Sequence, residues 1–211
     1  MSALLRRLHA REEGVTLPEL MIALSVMMVV AGIFLTAVVS VQTNVARQER
    51  RSDNNDQARL AIEQLDREVR SGNVLYNPQF ETLPYYSFRV FTQSNANTST
   101  PPFRCVQWVI SEDRELVRRQ WPPGEPDDAS GWRVVAEHIV NRAPGIGEPA
   151  FNLDAEPSKG GRTVNVKLVV NGNLENESRA TIRIQTALTG RNTSLGFSSD
   201  VCADLPAEPI P

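Results

Sequence analysis

The chain has 211 residues, a formal net charge of −3 and 41% hydrophobic residues. That length suits one globular domain plus an anchor, and the near-neutral charge supplies neither the basic footprint of a nucleic-acid binder nor an acidic tail. The two cysteines, Cys105 and Cys202, stand in no C-x-x-C or Cys/His spacing, which excludes zinc-ribbon and thioredoxin-like readings.

Residues 1–14 read as a short polar leader. Arg6, Arg7 and Arg11, offset by Glu12 and Glu13, fit a cytoplasmic side. From Val15 to Val41 the chain is one apolar run of about 27 residues, long enough as a helix to cross the roughly 30 Å hydrocarbon core of a bilayer. Its only full charge is Glu19. A carboxylate costs on the order of 2.5–3.5 kcal/mol at the centre of such a helix, less near an interface, and an anchor does not need it. Thr16 and Glu19 form a T-x-x-E capping box, and Pro18 falls in the first turn, where its missing N–H costs little. A Sec-type signal has its apolar region before the cut and small residues at the cut. Here the polar leader comes first and the apolar run follows.

The string Gly14-Val15-Thr16-Leu17-Pro18-Glu19-Leu20-Met21 resembles the type IV prepilin signal. The resemblance implies cleavage after Gly14 by a prepilin peptidase and N-methylation of Val15, where the family usually has Phe. It also implies that residues 15–41 are retained as a transmembrane and filament-core helix. Glu19 would then serve filament assembly by pairing with the Val15 amine of the adjoining subunit. The alternative is a plain single-span anchor in which Glu19 only caps the helix.

The helical pattern continues over residues 42–71. Ala58, Ile62, Leu65 and Val69 form one apolar stripe. Glu63/Arg67 and Asp66/Arg70 are favourable i,i+4 pairs. Asp53 to Asp56 are weak helix formers that could bend the helix, and Gly72 is a stop signal. A continuous helix from Val15 to Arg70 would be roughly 84 Å long.

Residues 72–202 read as a β-rich domain, with roughly 140 residues after the helix to build one core. Strands are expected at 85–92, 104–110, 115–121, 132–140, 163–170 and 179–188, the second and third forming a hairpin around Ser111 to Arg114. Residues 95–102, 122–131 and 142–149 read as loops, Asn171-Gly172 as a hairpin signal, and the Pro-rich 203–211 as a loose tail. If this part is extracytoplasmic, a Cys105–Cys202 disulfide is the natural reading; it would close a loop of roughly 98 residues, adding about 4–5 kcal/mol in the chain-entropy model. Two buried free thiols are the alternative.

Nothing in these residues reads as catalytic. His9 falls in the leader and His138 in an apolar strand, and no nucleophile elbow, P-loop or H-E-x-x-H occurs. Asp127-Asp128 and the Glu112/Asp113/Glu115 turn lack calcium-loop spacing and read as solvated turns. Gly160-Gly161 marks a turn with no helix after it to hold phosphate. Trp108, Trp121 and Trp132 read as core, or as an aromatic contact surface for a partner. Arg114, Arg118 and Arg119 read as a salt-bridged surface, with a small DNA-binding patch as the alternative.

The fold expected is α+β, a long N-terminal helix packed on an antiparallel β-sheet, as in pilins. The V-Q-W-V-I and E-L-V-R-R hairpin resembles a segment of PilW-type minor pilins and of type II secretion pseudopilin J. The run from Thr186 to Asn192 is similar to their C-terminal strand. The function so implied is a minor pilin or pseudopilin: a structural subunit, not an enzyme, without cofactor or metal. Its partners would be the prepilin peptidase, other pilin subunits and the plasma membrane, with the C-terminal domain outside and nucleic acid not expected. A membrane-anchored ectodomain and a DNA-uptake pilin are the other readings.

Overall fold

The computed structural model describes residues 15–93, 103–143, 145–154, 161–171, 181–191 and 196–211. The leader with Gly14, the loop at 95–102, Gly160, the 172–180 connection and Asn192 lie outside the described residues. The chain divides into two compact units after Ala46.

Helix α1 spans Leu17–Arg70. From Leu20 to Val41 it is uncharged and mostly apolar, and its large apolar side chains from Leu17 to Val45 are solvent-exposed. By length and composition α1 can cross a membrane. Two of its hydroxyls bond back to the helix itself. Ser25 Oγ donates to the Met21 carbonyl at 2.8 Å, and Thr36 Oγ1 to the Gly32 carbonyl at 2.7 Å.

From Arg47 onward α1 belongs to the globular unit. Asp53 to Asp56 do not end it, and Asn54 is drawn into the buried face with Ala58, Ala61, Leu65 and Val69. The stripe is therefore rotated from the sequence expectation, with Ile62 half-buried on its flank and Ala61 at its centre. Ala58 and Ala61 have no side chain beyond Cβ, so the helix can lie close to the sheet.

Five strands form an antiparallel sheet in sequential order: β1 (Gly72–Leu75), β2 (Ser87–Gln93), β3 (Phe103–Ile110), β4 (Leu116–Trp121) and β5 (Arg133–Ala136). Three more, β6 (Phe151–Leu153), β7 (Thr163–Asn171) and β8 (Thr181–Thr189), form a second antiparallel sheet. An isolated bridge between Ile139, just past β5, and Val170 on β7 marks their junction. Phe88 and Phe151, with ring centroids 5.8 Å apart, pack across the same junction.

The β3–β4 hairpin forms as its alternation predicts, with Arg114 in the turn at φ +66°. The strand expected over 132–140 is cut short at Ala136. His138 adopts φ +62°, which a strand cannot hold. Strand β2 likewise starts two residues late, after Tyr85 at φ +67°. The helix ends at Arg70, and Gly72, which opens β1, is required there by packing. A Cβ there would sit 2.8 Å from Val90 Cγ2 and 2.9 Å from the Val69 carbonyl oxygen.

Strand register sorts the central sheet into two faces. Phe88, Trp108 and Arg118 form one cross-strand row, on the helix side with Val90, Val106 and Ile110. Arg89, Gln107 and Arg119 form the next row on the opposite face, with Phe91, Cys105 and Trp121 as its neighbour.

Candidate functional site: the N-terminal helix and the clamps of the globular domain

The helix begins where the prepilin resemblance puts the mature N-terminus. The Thr16 carbonyl accepts from Leu20 N at 3.1 Å, which makes Thr16 the cap residue, with Leu17 and Pro18 as the first helical positions. Val15 is exposed just before the cap. Glu19 lies in the first turn, at the positive end of the helix dipole. From Leu20 through Ala46 the helix carries no charge at all. Glu19 thus has no opposite charge along the largely apolar helical segment that follows it.

In the globular unit three polar arrangements hold the domain together. The first joins α1 to the sheet. Glu68 Oε2 accepts from Trp108 Nε1 at 2.7 Å, and Glu68 Oε1 accepts from Arg118 Nε at 2.8 Å and Nη2 at 2.7 Å. The Glu68 backbone carbonyl also accepts from Thr92 Oγ1 at 3.0 Å. Sequence reasoning passed over Glu68, since a glutamate on an amphipathic helix reads as part of the wet face. The signal available was its position between Leu65 and Val69 on the buried stripe.

The second arrangement surrounds the disulfide. Cys105 on β3 and Cys202 in a 3₁₀ turn (Ser199–Cys202) are both buried and bonded, with Cα atoms 5.7 Å apart. Arg89 on β2 reinforces this closure. Its Nη1 donates to the Cys202 and Ala203 carbonyls, its Nη2 lies 3.1 Å from Glu81 Oε1, and its guanidinium sits 4.3 Å over the Tyr76 ring. Tyr76 Oη donates to the Ser199 carbonyl at 2.7 Å and accepts from Cys202 N at 3.0 Å. Burial pushes the Glu81 carboxyl up, against the opposing pull of Arg89.

The third arrangement is on the second sheet. Glu148 accepts from Arg183 Nη2 at 2.9 Å and contacts Lys167 Nζ at 2.7 Å. These hydrogen bonds, Arg183 first and Lys167 second, hold its carboxyl down at about 2.

The remaining sequence candidates are dispersed. Arg118 is engaged with Glu68 on the helix side, and Arg119 is buried on the opposite face against Gln107 Oε1 at 2.8 and 2.9 Å. Adjacent residues of a strand point to opposite faces, so the Arg118/Arg119 patch considered for DNA does not form. Trp108 and Trp121 are core residues, while Trp132 is half-buried beside Arg119. Asp127 and Asp128 lie in an exposed 3₁₀ turn. Among the described residues no three metal-ligating side chains cluster.

The family model described as Prokaryotic N-terminal methylation motif matches residues 9–35. No curated protein and no solved structure matches the chain. The match spans the Gly14–Val15 junction and the exposed apolar start of α1. It supports reading this N-terminus as that of a type IV pilin-like prepilin.

Proposed function

We propose that this chain is a minor pilin or pseudopilin, a structural subunit of a type IV pilus or type II secretion-like filament. It is made as a prepilin with residues 1–14 as leader. Prepilin peptidase cuts between Gly14 and Val15, and a methyltransferase modifies the Val15 amine. Residues 15–41 then hold the subunit in the plasma membrane, with the 72–202 domain outside, until it enters the filament beside other pilin subunits.

The observation that carries this reading is Glu19, the one charge between Leu17 and Ala46 of α1, inside the stretch that the methylation motif matches. A free α-amine has a pKa of about 8 and is largely protonated at neutral pH, and N-methylation keeps its charge. Paired with Glu19 of a neighbouring subunit, each charge offsets the desolvation of the other inside an apolar filament core. The finer assignment, to PilW-type minor pilins or pseudopilin J, is supported by the Leu116-Val117-Arg118 strand, whose arginine anchors the sheet to Glu68 on α1.

The test is Glu19→Ala in the native host. The variant is expected to be cleaved and to stay in membranes, yet to be missing from sheared filaments or from cross-links to other subunits. Wild-type incorporation would remove Glu19 from assembly.

A further inference from the structure

The sheet face under α1 changes character along its length. Side chains alternate along a strand, so Arg104, Val106, Trp108 and Ile110 of β3 share the helix side. Val106, Trp108 and Ile110 join the core with Ala58, Ala61, Leu65 and Val69 of α1. The next position on that face is Arg104, in register with Thr92 on β2, while Val106 is in register with Gln120 on β4. The apolar seam thus gives way to a polar pocket of about 260 Å³ between the end of α1 and the sheet. Arg67 and Glu68 line it from the helix, and Thr92, Arg104, Arg118 and Gln120 from the sheet.

The strongest acceptors in this pocket are already engaged. Both oxygens of Glu68 are taken, Oε2 by Trp108 Nε1 and Oε1 by Arg118 Nε. Two carbonyls of the last helical turn accept from hydroxyls, Arg67 from Ser71 Oγ at 2.8 Å and Glu68 from Thr92 Oγ1 at 3.0 Å, which answers the negative pole of the helix. Gln120 Oε1 accepts from Arg118 Nη2 at 2.9 Å, so its amide N–H groups are left to donate. The donors are in surplus. Among the described residues the guanidiniums of Arg67 and of the half-buried Arg104 make no hydrogen bond or ion pair. Asp128, which lines a neighbouring cleft with Arg104, forms no ion pair with it. Three arginines line the pocket against one glutamate, and two positive charges are uncompensated.

A guanidinium offers a planar fork of N–H donors that fits two oxygens of one oxyanion. Two uncompensated charges match a phosphate monoester, which carries about −1.5 to −2 at neutral pH, better than they match one carboxylate. We propose that this pocket binds a phosphate group, free or carried as a monoester on a larger molecule. Arg67 and Arg104 are its charged ligands and Gln120 Nε2 is a further donor. The proposal rests on the globular unit alone and does not depend on the filament reading.

The test is isothermal titration calorimetry of the purified full chain in detergent at low salt, with inorganic phosphate, glycerol phosphate and acetate as probes. A single phosphate site with a Kd of about 1 mM or tighter is expected, and acetate should bind about tenfold more weakly or worse. Arg67→Gln and Arg104→Gln should each weaken phosphate binding about tenfold. Their circular dichroism and melting temperature should match wild type, because neither guanidinium has a bond to lose. Arg47→Gln, roughly 30 Å away along α1, removes the same charge and should leave binding unchanged. Tighter binding of glycerol phosphate than of inorganic phosphate identifies a carried phosphate as the ligand, and the reverse identifies the free ion. No saturable binding up to about 10 mM by a chain with native circular dichroism overturns the proposal. So does acetate binding as tightly as phosphate, or a loss in Arg47→Gln equal to that in Arg104→Gln.

Discussion

Glu68 on α1 and Trp108 on β3 are joined by a 2.7 Å hydrogen bond, while the other oxygen of the same carboxylate is taken by Arg118 on the adjacent strand. The pairing Trp108↔Arg118 in the β3–β4 ladder places both donors under one helical residue. Helix position and strand register are thus read against each other at a single side chain.

Removing that carboxylate should loosen the helix from the sheet. Glu68→Ala leaves the Trp108 indole N–H without its acceptor and the half-buried Arg118 with only Gln120 Oε1, a loss of about 1–3 kcal/mol. Urea denaturation of the full chain in detergent, disulfide intact, measures it. A cycle with Arg118→Gln should return a coupling on the order of 0.5–3 kcal/mol, and additive losses would show that the pair acts separately.

The carboxyl of Glu148 is held down at about 2 by Arg183 and Lys167, from an ordinary value of 4.5. A folded value below the unfolded one gives stability that is present above about pH 4.5 and is lost as pH falls towards 2. The melting temperature of wild type should therefore exceed that of Glu148→Gln at neutral pH. The two should converge between about pH 4.5 and 2. Glu81, raised by burial, acts with the opposite sign: its contribution is full at low pH and fades as pH rises through its folded value. A gap between wild type and Glu148→Gln that stays constant with pH would refute the Glu148 assignment.

Opening the disulfide removes the covalent tie between β3 and the turn that carries the tail. Cys105→Ser with Cys202→Ser should cost about 2–5 kcal/mol. Hydrogen exchange should rise first over residues 199–211 and at Tyr76, whose hydroxyl bonds to that turn. Exchange confined to the β3–β4 hairpin would contradict this order.

Much of this fold is visible in the residue pattern. The β3–β4 hairpin and the β7–β8 pair alternate cleanly, and the apolar run of α1 is unmistakable. What escapes is set by register and not by local pattern. The role of Glu68 depends on which strand residues meet beneath it. Arg118 and Arg119 look like one patch in sequence but face opposite ways in a strand. Strands β1 and β6 are too short to show a period. The tail looks loose because proline promises no regular structure, yet its carbonyls find donors that only the folded sheet assembles, Arg119 Nη1 for Glu208 and Trp132 Nε1 for Pro209. At the N-terminus the sequence is nearly the whole argument, because the proposed partner of Glu19 belongs to another molecule.

The most direct test of the central claim is mass spectrometry of the mature N-terminus from membranes, with and without prepilin peptidase. The account predicts a peptide that begins at N-methylated Val15 and disappears in the peptidase mutant. A chain still beginning at Met1, or cut elsewhere than after Gly14, would contradict it and return Glu19 to the role of a helix cap.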